Sequence, residues 1–379
     1  MSLYLLLICL ILSPDSIYST TTTDTISTTT STSTDNYIFC PRFSATIVVP
    51  CYNEEHRLPS EVFLNYVKQQ STCSKSITFL LVNDGSTDNT LDVLKSLEMK
   101  YPSSFQVLNM EQNVGKAEAV RHGLIQAMIN EPPNSGGIVG YWDGDLATPL
   151  TSVDVFMNIF HKFSQIEMVF GSRVALLGRD IQRHASRHYL GRIFATLASL
   201  ILELRIYDTQ CGAKLFRSTN DMKLALTQKF QSRWIFDVEL IARLKVQRQH
   251  SINNEDGGDV YLPLSKTIYE SPLDSWRDIS GSKLSFRSKT SALYGLFFIW
   301  KKYKSPLRNW NPSFTSGGEI HMNVDDEEGD ILFYGIIFVL LNSSVVLMWC
   351  CCLVFFGKSS KSNRKKKLER PIAKKKKNA

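Results

Sequence analysis

Four short apolar runs recur in the first 142 residues, and each stops at a polar cluster. They are Ala45-Thr46-Ile47-Val48-Val49-Pro50, residues 77–82, residues 105–108, and Ile138-Val139-Gly140-Tyr141-Trp142. Runs of this length read as strands. Between them, residues 60–70, 91–99 and 117–130 read as helices, the first capped by Ser60. Strands alternating with helices predict an α/β fold, Rossmann-like, with a mostly parallel sheet covered by helices on both faces. In such sheets the loops after the strands meet at one edge, where ligands bind. The polar clusters occupy those loops, so they converge.

The most informative cluster is Asp143-Gly144-Asp145, which follows the fourth run. Two carboxylates one residue apart offer hard oxygen ligands. These suit Mg²⁺ or Mn²⁺ shared with a diphosphate. Gly144 is expected to supply the sharp turn between them. Asp84, in Asn83-Asp84-Gly85-Ser86-Thr87-Asp88, suits either a turn cap or an acceptor for a base N–H. Residues after the first strand suit the nucleoside. The loops together outline a nucleotide-sugar site.

Downstream, residues 151–162 are predicted helical, 168–171 a strand, 185–204 a long helix and 260–268 a late strand. In the long helix Leu190, Ile193, Phe194, Leu197, Leu200, Ile201 and Leu204 keep helical spacing, with Arg183, Arg187 and Arg192 near its start. That pattern suits a core helix with solvated arginines, or an interfacial helix whose basic residues face lipid phosphates. A further helix opens near Trp234 and runs to Val246. Asp237 and Glu239 in it need not face the same way, so at most one belongs to a site.

Charge matters chiefly at the ends. The chain carries +7, but residues 358–379 alone carry +10, leaving about −3 for the rest. That excludes a basic nucleic-acid-binding surface. Residues 1–19, with an apolar run at 3–12, predict a signal peptide or short signal anchor. Residues 20–42, rich in Ser and Thr, are expected to be a disordered spacer. A folded domain over 43–300 and a linker over 301–330 precede an apolar run at 331–356, long enough for a transmembrane helix. The positive-inside rule places the basic tail, 357–379, in the cytosol. Cys40, Cys51, Cys73 and Cys211 show no metal-like spacing and read as thiols.

Taken in order, Val49-Pro50-Cys51-Tyr52-Asn53-Glu54-Glu55, Val82-Asn83-Asp84-Gly85-Ser86-Thr87-Asp88, Asn113-Val114-Gly115-Lys116 and Asp143-Gly144-Asp145 resemble the motifs of the family 2 glycosyltransferases of GT-A fold. Within that family the chain is most similar to the dolichyl-phosphate β-glucosyltransferases and, more distantly, the dolichyl-phosphate mannosyltransferases. That narrowing rests on Asp208-Thr209-Gln210-Cys211-Gly212-Ala213-Lys214-Leu215-Phe216, on Arg233-Trp234-Ile235-Phe236-Asp237-Val238-Glu239, and on Trp276-Arg277-Asp278-Ile279-Ser280-Gly281-Ser282-Lys283-Leu284. The resemblance implies UDP-glucose as donor, Mg²⁺ or Mn²⁺ as cofactor, and dolichyl phosphate as acceptor in the endoplasmic reticulum membrane. The product would be dolichyl β-D-glucosyl phosphate for N-glycan precursor assembly. Pro50, Tyr52, Asn53, Glu54, Asp84 and Lys116 then bind nucleotide sugar, and Asp143 and Asp145 hold the metal. These two and Asp237 are the catalytic candidates. Arg173, Arg192 and Lys214 are candidates for the acceptor phosphate. A phosphate monoester, with a second pKa of about 6, needs placement and charge screening, not a base.

The rival readings are a dolichyl-phosphate mannosyltransferase and a family 2 enzyme acting on a protein or glycan hydroxyl, which would need a carboxylate base. A membrane protein that only binds nucleotide sugar is a third. Between residues 35 and 330 no Asn-X-Ser/Thr sequence with X other than Pro occurs, which favours the cytosolic face. A cleaved signal with a single C-terminal span would instead put the domain in the lumen. The terminal Lys376-Lys377-Asn378-Ala379 resembles a dilysine retrieval signal.

Overall fold

The computed structural model describes residues 43–70, 77–130, 137–183, 185–253, 261–278, 292 and 294–303. The expected signal segment, spacer, transmembrane helix and basic tail lie outside these residues. Among the described residues, no helix is long and apolar enough to cross a membrane.

In chain order the strands are β1 (Ala45–Cys51), β2 (Ile77–Asp84), β3 (Phe105–Met110), β4 (Ile138–Trp142), β5 (Met168–Ser172), β6 (Asp180–Gln182), β7 (Ala213–Arg217), β8 (Ile268–Pro272) and β9 (Ser275–Arg277). Seven form one sheet in the order β3-β2-β1-β4-β7-β5-β8, and β6 pairs with β9 separately. The pairs β1–β2, β1–β4, β2–β3 and β5–β8 are parallel. β7 alone runs antiparallel, to both β4 and β5. Every residue of β4 and β5 is buried, as expected of central strands covered on both faces.

The helices are α1 (Ser60–Gln70), α2 (Thr90–Lys100), α3 (Lys116–Asn130), α4 (Thr151–Lys162), α5 (Ala185–Leu202), α6 (Asn220–Ala225), α7 (Phe236–Asn253) and α8 (Leu264–Thr267). Residues 294–303 are also helical. Side chains alternate along β1, so Ile47 and Val49 join one core with Phe63 and Leu64 of α1 and Phe156 and Phe160 of α4. Phe63 meets Phe79 edge-on at 5.2 Å. Val48 points the other way, toward α3. There Gly123 lets helix and sheet close up: a Cβ on it would stand 2.4 Å from Val48 Cγ1.

Two expectations shift. Residues 261–263 form no strand; Leu264–Thr267 make a helical turn and the strand starts at Ile268. Pro263 fixes its own φ and has no N–H for a ladder, and its carbonyl accepts the Lys266 N–H at 2.8 Å. Helix α7 continues past Val246 to Asn253.

Candidate active site

The loops after β1 and β2 are zipped together. Asn53, in the left-handed region at φ 51°, accepts the Thr87 N–H at 2.9 Å and donates its own N–H to Ser86 Oγ at 3.0 Å. Glu54 N–H donates to Thr90 Oγ1 at 2.8 Å, and the Asn89 side chain donates to Glu55 at 2.9 Å. Pro50 to Glu54 therefore form a fixed rim at the carboxyl end of β1. Asn tolerates the left-handed backbone that this rim requires.

Asp84 sits beneath that rim, 3% exposed. Its carboxylate accepts the Val114 N–H at 2.8 Å, the Gly115 N–H at 3.0 Å and the Asn113 side-chain amide at 3.2 Å. Burial raises its pKa, and these backbone bonds act against that. The carboxylate thus caps the 113–115 turn and not the 84–88 turn in which Asp84 itself lies. Asp84 shapes the 113–115 turn from which α3 and Lys116 emerge.

Lys116 crosses to Asp143 at 2.5 Å. Burial lowers the pKa of the ammonium, but Asp143, Asp237 and Asp145 outweigh it, and the net shift is upward. Asp143 N–H is tied to Gly212 O at 2.8 Å. A Cβ on Gly212 would fall 1.9 Å from Asp143 Oδ2, so any larger residue there must displace the Asp143 carboxylate. The sharp turn falls on Leu146 (φ 51°) rather than Gly144. Asp145 accepts the Ala147 N–H at 3.1 Å, and its pKa is raised by burial and then by Asp143.

The donor set fits a divalent ion of the Mg²⁺ or Mn²⁺ type. Among the described residues, no group of three or more His, Cys, Asp or Glu could hold a metal. Two adjacent carboxylates beside a half-exposed lysine match an ion that takes its remaining ligands from phosphate and water.

Below Asp143, Asp237 accepts hydrogen bonds from Tyr141 Oη and, at 2.7 Å, from Lys214 Nζ. Lys214 is 1% exposed, and its other bond goes to Cys211 O at 2.5 Å. Lys214 is therefore a buried strut under the floor. Glu239 points elsewhere, to Gln231 N–H at 2.8 Å and Arg243 at 2.7 Å.

Arg173 and Arg192 lie on the other side of β7. Arg173 holds Asp208 through two bonds of 2.6 and 2.7 Å and stacks 5.3 Å from the Trp276 ring centroid. Burial works to raise the Asp208 pKa, but Arg173 pulls it well below the usual carboxylate range. Arg192 donates to Tyr207 O at 2.8 Å and covers the Tyr207 ring at 3.6 Å. Arg183 also acts on Asp208 and abuts Gly191 at the start of α5.

Sequence reasoning missed three of these cations as site residues. Arg183 belongs to the arginine group just described. Arg57 acts on Asp145 and reaches Glu54 at 3.5 Å. Arg233 packs against Gly115 and acts on Asp84. Arg57 and Arg233 lie in loops remote in sequence from Asp145 and Asp84, with no periodic signal.

The chain matches the model of the family described as Glycosyl transferase family 2 over residues 46–220. It is 31% identical over 274 residues to a dolichyl-phosphate beta-glucosyltransferase of Drosophila melanogaster, covering 69% of this chain and 76% of that protein. A Homo sapiens protein of the same name is 32% identical over 278 residues, with the same coverage. Among solved structures, mannosyl-3-phosphoglycerate synthase from Rubrobacter xylanophilus aligns with 71% of this chain and 77% of its own, at TM-score 0.47 and 11% identity.

Proposed function

The chain belongs to glycosyl transferase family 2, and on that premise we propose that it transfers glucose from UDP-glucose to dolichyl phosphate with inversion, giving dolichyl β-D-glucosyl phosphate. The observation that carries this reading is the 31–32% identity to proteins named for that activity, across 76% of their length. The site chemistry supports it. An oxygen of the acceptor phosphate attacks the anomeric carbon, the bond from that carbon to the diphosphate breaks, and UDP leaves. The attacking oxygen is already ionised near neutral pH, so no general base is required.

In this reading the rim of Pro50, Tyr52, Asn53 and Glu54 and the turn built by Asp84 receive the nucleoside. Asp143 and Asp145 would hold Mg²⁺ or Mn²⁺, which supplies charge neutralisation for the diphosphate. Lys116 adds a positive charge beside them. Asp237, locked by Tyr141 and Lys214, orients donor or Lys116 from below. Arg173 and Arg192, with Arg183, receive the acceptor phosphate, whereas Lys214 does not. Tyr189, Ile193 and Leu200 of α5 and Leu176 and Leu177 in the loop after β5 are exposed, which suits contact with membrane lipids at the endoplasmic reticulum.

The test is incubation of the full chain with dolichyl phosphate and labelled UDP-glucose or GDP-mannose. Metal-dependent entry of glucose into the lipid fraction is expected. Entry of mannose would move the protein to the sister activity, and no lipid product from a folded preparation would favour a hydroxyl acceptor.

A further inference from the structure

Two neighbouring backbone N–H groups in the loop between α5 and β7 converge on one carboxylate. Tyr207 N–H donates to Glu270 Oε2 at 2.8 Å, and Asp208 N–H donates to Glu270 Oε1 at 2.6 Å. Glu270 is partly buried and belongs to β8, where it stands level with Phe170 of β5. Its strand is thus paired with the one that ends just before Arg173. A carboxylate that accepts on both oxygens fixes two successive peptide planes, and its charge makes both bonds strong.

Those two peptide units carry the arginine partners. The Asp208 N–H shares a planar trans peptide with the Tyr207 carbonyl, so the two point in opposite directions. With the N–H drawn to Glu270, the carbonyl faces the other way and accepts from Arg192 at 2.8 Å. The Tyr207 ring lies under the same guanidinium, 3.6 Å away. The Asp208 carboxylate meanwhile holds Arg173 through its two bonds of 2.6 and 2.7 Å. Both arginines thus take their orientation through one carboxylate on an adjacent strand. We infer that Glu270 is a positioning residue for the acceptor phosphate, setting the relative placement of Arg173 and Arg192 through Asp208 and Tyr207. This rests on the acceptor reading above. Two guanidinium forks meet one phosphate well only when they are aligned in advance. Loss of that alignment weakens the acceptor and leaves the donor side, built on β1, β2 and β4, as it was.

The test compares full-length wild type, Glu270→Gln, Glu270→Asp, Arg192→Gln and the Glu270→Gln/Arg192→Gln double variant in detergent with Mn²⁺. Transfer kinetics read KM for dolichyl phosphate and for UDP-glucose, and thermal melting reports folding. Glutamine can accept only one of the two N–H bonds and turns its own NH₂ toward the other. Glu270→Gln is expected to raise KM for dolichyl phosphate roughly tenfold, while KM for UDP-glucose stays within about twofold. Glu270→Asp, which keeps both acceptor oxygens, is expected to recover part of the loss. In the double variant the acceptor KM should rise less than the two single effects multiplied, because Glu270 acts through Arg192. Multiplicative effects, an equal rise in both KM values, or a lowered melting temperature with unchanged acceptor KM would each overturn the inference and leave the function standing. If the wild type uses GDP-mannose instead, the donor reading fails, and the acceptor KM still decides Glu270. If the folded wild type makes no lipid product with either donor, the acceptor reading and the inference both fall.

Discussion

Lys214 and Asp237 form an ion pair out of water, with the Tyr141 hydroxyl on the same carboxylate oxygen. Removing one member leaves the other charge buried and unpaired. Lys214→Met is therefore expected to destabilise the fold by roughly 3–5 kcal/mol in urea denaturation. Combining it with Asp237→Leu should restore part of that loss, because no bare charge remains. Asp143→Asn and Asp145→Asn act on chemistry instead. Each is expected to lower transfer roughly a hundredfold or more and raise the Mn²⁺ concentration needed, with little change in urea midpoint. A third residue reports pH. Burial raises the Asp154 carboxyl to about 6, partly offset by the hydrogen bond from Tyr66 Oη at 2.7 Å. The folded state then keeps a proton that the unfolded chain releases near pH 4. Stability should fall as pH rises from about 4 to 6, and level off above that. Asp154→Asn should remove this slope, read from urea midpoints across that range.

At the scale of elements, the first half of the sheet was legible because each strand precedes its own covering helix. Strand β4 and helix α4 match the expected ranges residue for residue. The Asp84 and Asp143 loops converge because parallel strands deliver their carboxyl ends to one edge. The second half was less legible. Pairing of β4 with β7 joins residues some seventy positions apart, and no local pattern announces which strand will turn antiparallel. For the same reason Lys214 read as a candidate for the acceptor phosphate, when its strand lies in the middle of the sheet. Helix α5 keeps only part of its expected core stripe, which included Ile193 and Leu200. Phe194, Ala198 and Ile201 are buried, while Tyr189, Ile193 and Leu200 are exposed. If that outer stripe lies on a bilayer, Ile193→Glu with Leu200→Glu should raise KM for bilayer-embedded dolichyl phosphate about tenfold or more. A short-chain, water-dispersed acceptor should be used as before.

On the scale of the whole molecule, β7 is the strand through which the two halves meet. Its amino-terminal end reaches Asp143 through Gly212, and the same connection carries Asp208 to Arg173. The proposed donor and acceptor groups thus share one short segment, and Gly212→Ala is expected to impair transfer by displacing Asp143 while dolichyl phosphate is still bound. The position of β7 also has a consequence for synthesis on the ribosome. Until residues 213–217 emerge, β4 has a bare edge of buried apolar residues. Translation at ordinary rates leaves that edge open for roughly 4–14 s. During that interval the nascent chain is an aggregation hazard, and it is then that it most needs a chaperone.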